Sequence, residues 1–122
     1  LFFQPGQFDP GALAADENYA RDTVTTVELG LFPVPILDGT TEGIQAPTLV
    51  VVGENDEIFC GGVGGADCSS AASVRAHEAP YYPNAELTTY VQPGSGHCNN
   101  IHYHAKDWFN AAQFWLSARF PA

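Results

Sequence analysis

Two residues in this sequence have the types and settings for proton-transfer chemistry. Asp56 closes the run Pro47-Thr48-Leu49-Val50-Val51-Val52-Gly53-Glu54-Asn55-Asp56, and His97 closes Pro93-Gly94-Ser95-Gly96-His97. A carboxylate that accepts the Nδ1 proton of an imidazole fixes the tautomer. It also supports the imidazolium that forms when the other nitrogen takes a proton. Such a pair serves as the acid–base machinery of an activated nucleophile. Singly, Asp56 reads equally well as a loop or capping aspartate, and His97 as a satisfied turn histidine. Together, with glycines around the turn at His97, they point to catalysis.

A scaffold must bring these two side chains to one place. Leu49 to Val52 is apolar without alternation, the pattern of a strand buried on both faces of a parallel sheet. Gly53 is expected to end that strand and let the chain turn. Glu86 to Val91 alternates and is rich in β-formers, which predicts a second strand nearer the sheet edge. Between them lie a loop from Asp56 to Gly65 and a helix from the N-cap Asp67 to about Ala79, closed by Pro80 and Pro83. After His97, Asn99 or Asn100 is expected to cap a final helix reaching Arg119. On it Ile101, Ala105, Trp108, Ala112 and Trp115 recur at helical spacing, and Phe109 and Leu116 widen the stripe.

A strand–helix–strand unit of this length makes a right-handed crossover between parallel strands. Asp56 and His97 would then leave the sheet at its carboxyl end, where open α/β sheets hold their ligands. Two parallel strands do not stand alone, because a parallel sheet needs several strands with helices on both faces. Residues 46–122 therefore predict an α/β section whose remaining strands come from elsewhere.

Residues 1–45 have a different character. Asp9 and Pro10 open a helix through Arg21, Asp22 is expected to cap a second from Thr23 to Leu31, and Pro33 and Pro35 stop it. Val34 to Gln45 follows as a connector with a turn at Asp38-Gly39. This third has scattered aromatics (Phe2, Phe3, Phe8, Phe32) and no repeat, as expected of the end of a lid or cap and its link to the sheet.

The chain has 122 residues, which suffices for one core and not for two. Its formal charge is −10, with Arg21, Arg75, Lys106 and Arg119 as the fixed cations. That balance argues against nucleic acid and anionic membranes as partners. No apolar run reaches the roughly 18 residues of a membrane span, and no signal-peptide pattern opens the chain. Leu1 is not a start methionine and Met is absent, which predicts a processing site here with any targeting segment upstream. An acidic, Lys-poor surface fits a secreted, extracellular enzyme.

Cys60 and Cys68 bracket the Gly-rich stretch Gly61-Gly62-Val63-Gly64-Gly65, flexible enough for the two to meet. They are expected to form a disulfide, which implies an oxidising compartment. The alternative is a pair of reduced thiols beside a loop. Cys98 is left either free or paired with a cysteine of another chain. His97, His102 and His104 raise the question of a metal. However, His102 and His104 would face opposite sides of a helix and no His-Glu-x-x-His pattern is present, so no metal or other cofactor is expected.

The two turns carry a resemblance. An apolar strand ending in Gly53-Glu54-Asn55-Asp56, followed by Gly94-Ser95-Gly96-His97, resembles the C-terminal part of the α/β-hydrolase fold. There the order is also acid, then histidine. The resemblance covers Ala46 to Phe120. It implies Asp56 as the triad acid, His97 as the general base and Ile58 near the substrate pocket. It departs at one place: the Gly-x-Ser-x-Gly nucleophile elbow is absent from this sequence. Ser95 stands in the wrong order for it, and Ser69, Ser70 and Ser73 sit at a helix start. The expected partner is thus the N-terminal half of the same protein as a separate chain, supplying the nucleophile, and the expected substrate is a small acyl ester. An epoxide hydrolase or dehalogenase with an Asp nucleophile is an alternative. So is a non-catalytic, hydrolase-like binding or structural protein.

Overall fold

Both expected strands form, and they pair. In the computed structural model β1 (Thr48–Gly53) and β2 (Leu87–Gln92) run parallel, with Thr48 opposite Leu87 and Gly53 opposite Gln92. The structure describes residues 2–20, 22–31, 33–62 and 64–121, with Pro35 and Ile36 as backbone alone. The result is a small α/β arrangement, a two-stranded parallel sheet with flanking helices. No helix among the described residues is long and apolar enough to cross a membrane.

Pairing parity decides what each strand offers its surroundings. Thr48 N–H donates to Glu86 O and Glu54 N–H donates to Gln92 O, so the even-numbered residues of β1 face β2. The backbone groups of Leu49 and Val51 point to the opposite edge. No third strand pairs there among the described residues.

Side chains alternate across the sheet, and each face has its own helix. Val50, Val52 and Val91 pack on one face with Val74 of α4 (Ala71–Glu78), Ala66 and Cys68. The other face meets α5 (Ala105–Arg119). Trp115 Nε1 donates to Thr88 Oγ1 at 3.0 Å, and Val51 shares a cleft with Trp108. At the far end of α5, Arg119 lies over the Trp115 ring at 4.5 Å and pairs with Glu86.

Helix starts depart from expectation. The N-cap of α4 is Ser70, not Asp67: its Oγ accepts from Ser73 N–H at 3.1 Å. Asp67 instead accepts from Ser69 N–H at 2.9 Å, which holds its carboxyl below the usual carboxylate range. Ser70 is in extended form, as an N-cap residue ordinarily is, two residues after the disulfide-bonded Cys68. Pro80 enters a 3₁₀ turn, Ala79–Tyr81, that follows the helix.

The final helix begins at Ala105, not at Asn99. Asn99–Ile101 forms a separate 3₁₀ turn, and the backbone is extended at His102. Ile101 therefore lies outside the helical stripe, and His102 and His104 precede the helix instead of projecting from its sides. Ala105 is buried and Trp108, Ala112 and Trp115 half-buried, but Phe109, Phe114 and Leu116 are exposed, so the stripe is narrower than expected.

In the first third, α1 (Pro10–Ala15) starts as expected, with Asp9 Oδ1 accepting from Gly11 N–H at 2.6 Å. It continues as a π-helical turn, Asp16–Ala20. Arg21, its expected end, and Phe32 lie outside the described residues. α2 (Thr26–Leu31) is capped by Thr25, not Asp22. Thr25 and Glu28 exchange hydrogen bonds through Thr25 N–H, Glu28 Oε2, Glu28 N–H and Thr25 Oγ1. Pro33 and Pro35 do not merely stop α2. They occupy the cap and first turn of α3 (Val34–Leu37), where a missing N–H costs nothing. Gly39 then turns the chain at φ 80°.

Candidate functional site

Asp56 and His97 meet at the carboxyl ends of the two strands. His97 Nδ1 lies 2.9 Å from Asp56 Oδ2. The other carboxylate oxygen, Oδ1, accepts from Ile58 N–H at 2.8 Å and Phe59 N–H at 3.1 Å. Asp56 is 3 % exposed, so its charge is held by these three donors and not by water. With a carboxylate oxygen on Nδ1, the neutral ring carries its proton there and leaves Nε2 as the basic nitrogen. Nε2 makes no hydrogen bond among the described residues, and the His97 side chain is 28 % exposed. The ring is flanked by Phe2 (centroids 5.5 Å apart) and Phe59 (5.1 Å).

Backbone proximity explains the glycines. A Cβ on Gly53 would sit 2.2 Å from Gly96 O and 2.4 Å from Ser95 O. Gly53 is thus glycine because the acid turn and the base turn touch there, not because the chain turns with positive φ. Gly94 is the residue of the base turn that needs the left-handed region, at φ 66°. Asn55 N–H donates to Ser95 O at 2.8 Å, which ties the two turns together. Ser95 is a buried turn residue whose Oγ finds no partner among the described residues.

Behind Asp56 the loop is braced covalently. Cys60 and Cys68 form a disulfide, with their Cα atoms 5.6 Å apart. Ala66 N–H donates to Phe59 O and Gly61 N–H to Ala66 O, closing the loop with backbone hydrogen bonds. Val63 lies outside the described residues. Ile58 has two roles in the geometry. Its N–H holds Asp56, and its half-exposed side chain lines a cleft of about 440 Å³ with Phe59, Leu37, His77 and Tyr81.

A second cleft, of about 480 Å³, opens on the other side, between His97, Val51 of the unpaired β1 edge and Trp108. Two of its lining residues carry buried polar atoms without a partner among the described residues: Asn99 Oδ1 and Trp108 Nε1. Cys98 also lines this cleft as a free thiol. Burial pushes its pKa up, and the carboxylates of Asp16 and Asp56 add to the shift.

Sequence reasoning missed three contributors. Phe2 and Phe59 flank the imidazole, and nothing in their spacing announces it. His102, set aside with the question of a metal, is 4 % exposed and bonded to backbone groups on both ring nitrogens. Among the described residues no group of three or more His, Cys, Asp or Glu side chains is placed to hold a metal ion. No family model matches the chain, and no curated protein matches it either.

Proposed function

We propose that this chain is the acid-and-base section of an α/β-hydrolase that cleaves small acyl esters. The carrying observation is the Asp56–His97 hydrogen bond at 2.9 Å with Nε2 left open. In the reaction a nucleophilic hydroxyl attacks the ester carbonyl and its proton passes to His97 Nε2. Asp56 stabilises the resulting imidazolium across Nδ1. His97 then returns the proton to the departing alcohol, and the acyl-enzyme is hydrolysed by the same route with water as nucleophile. The nucleophile and the oxyanion donors belong to a complementary polypeptide, the N-terminal half of the same protein.

What the described residues leave unsatisfied supports a position for that polypeptide beside β1. The outward backbone groups of Leu49 and Val51 can accept a further strand. The adjoining cleft, where Asn99 Oδ1 and Trp108 Nε1 find no partner among the described residues, has polar groups beside that edge. A parallel sheet of two strands, with an outer edge unpaired on each among the described residues, supports the reading that further strands complete it. Ile58 and Phe59 line the cleft on the far side of the imidazole, which suits the acyl or alcohol part of a substrate. The Cys60–Cys68 disulfide supports a secreted protein, since such bonds persist in oxidising compartments.

The test is turnover of p-nitrophenyl acyl esters by the protein assembled from both polypeptides, with His97→Ala beside it. The variant is expected to lose at least about a thousandfold in kcat, and this chain alone is expected to turn nothing over. Unchanged turnover in His97→Ala overturns the assignment. Labelling by a fluorophosphonate separates a serine nucleophile from an aspartate.

A further inference from the structure

We infer that His102 is a positioning residue: as a neutral ring protonated on Nδ1, it locks the turn that carries His97 to the N-terminal arm of the chain. Its effect on turnover rests on the function proposed above; its role as a clamp does not.

Three hydrogen bonds define it. His102 Nε2 accepts from Gln4 N–H at 3.0 Å and from Gly96 N–H at 3.1 Å. Nδ1 lies 2.7 Å from Cys98 O. Two amide donors converge on Nε2, so that nitrogen holds the lone pair and Nδ1 carries the proton, which it donates to Cys98 O. One buried ring therefore satisfies two N–H groups and a carbonyl from three separate points of the backbone.

The arm lies close against the turn. Cys98 N–H donates to Phe2 O at 2.9 Å, and Tyr103 N–H donates to Gln7 O at 2.8 Å. Phe8 stands edge-on to the His102 ring, centroids 6.3 Å apart. A Cβ on Gly96 would come within 3.0 Å of both Gln4 N and Phe2 O, so the arm and the turn are in backbone contact. Held in this way, the arm delivers the Phe2 ring to one side of His97.

Gly96 immediately precedes His97. Without an acceptor at Nε2, the buried Gly96 amide and the part-buried Gln4 amide both lose their partner, and the turn must shift to find new ones. A drift of about 1 Å between His97 and its nucleophile costs about a hundredfold in rate, while substrate affinity has no reason to change. An amide side chain can copy the pattern, one oxygen accepting and one nitrogen donating.

Two measurements test this. On the chain itself, long-range ¹H–¹⁵N spectra are expected to show His102 protonated on Nδ1 and bare at Nε2, with slow amide exchange at Gly96 and Gln4. A ring protonated on Nε2, or fast exchange at both amides, overturns the inference. In the assembled protein, His102→Leu is expected to lower kcat for p-nitrophenyl esters about 10- to 100-fold with KM nearly unchanged, and His102→Gln to restore most of it. Unchanged kcat in His102→Leu overturns the positioning role. If His102→Leu does not fold, the spectra and exchange rates of the unaltered chain still decide. If the assembled protein has no ester turnover at all, the proposed function falls while the clamp stands or falls on the spectra.

Discussion

Val74 of α4 is fully buried against the sheet, whereas Val27, Leu29 and Leu31 of α2 are all exposed. Both helices are capped by side-chain hydroxyls, Ser70 in one and Thr25 in the other. Local signals therefore start a helix in either region. They do not supply the packing that fixes one in place, because most helical stability comes from burying an apolar face. Residues 46–120 have such a partner face in the sheet. Residues 22–39 do not have one among the described residues. Asp56 and His97 lie on the packed side; Phe2, held by Cys98 N–H, and Gln4, bonded to His102, join them from the N-terminal arm, and Leu37 of the other region lines the cleft beside Ile58.

The largest expected effect is at Gly53. Gly53→Ala places a methyl within 2.4 Å of two backbone carbonyls, Gly96 O and Ser95 O, which cannot both move away. A loss of about 3 kcal/mol or more is expected from urea titration. Stability within about 0.5 kcal/mol of the original would show that the two turns do not touch.

Opening the disulfide comes next. The Cys60–Cys68 bond closes a loop with a sequence separation of 8. Its removal by Cys60→Ser with Cys68→Ser is expected to cost about 2.5 kcal/mol on the chain-entropy estimate. The same pair of changes should raise amide exchange at Ile58 and Phe59, the donors to Asp56. Unaltered exchange there would separate the loop from the site.

Thr25→Ala probes the other region. Losing the cap should weaken α2 by about 1 kcal/mol, read as lower far-ultraviolet ellipticity. The urea midpoint of the Trp108 and Trp115 fluorescence should hardly move. An equal shift in that midpoint would mean that the two regions unfold as one.

The smallest effect is a pH shift at Cys98. Burial favours its neutral thiol, with Asp16 and Asp56 adding to the shift, so the folded chain holds that proton to higher pH than the unfolded chain does. The stability linked to it is present below the unfolded thiol's pKa and is lost as pH rises through the folded value. Iodoacetamide labelling should therefore show a higher pH midpoint in the folded chain than in urea. A midpoint equal to or below that of the unfolded chain would contradict it.

Much of the arrangement was legible from the sequence because it is local. The apolar run Leu49–Val52 and the alternating Glu86–Val91 each state their strand, and the strand–helix–strand order places Asp56 and His97 at one end. What stayed hidden depends on distant partners. The start of α5 moved to Ala105 because His102 is drawn inward by Gln4 and Gly96, and the first of these is 98 residues away in sequence. Gly53 is legible as a glycine, but its reason is a carbonyl on the other turn. The cap at Thr25 could have been read, since Thr25 and Glu28 have capping-box spacing.

The most direct measurement is ester turnover by the proposed two-polypeptide enzyme carrying Asp56→Asn. In the original chain Oδ1 accepts two backbone N–H groups, so the asparagine oxygen is expected to keep that side. The new NH₂ then faces His97 Nδ1, forces it to accept, and moves the ring proton to Nε2. The base nitrogen is lost while the fold remains, and kcat is expected to fall about 10⁴-fold. Turnover within about tenfold of the unaltered protein would contradict the claim that Asp56 sets His97 for catalysis.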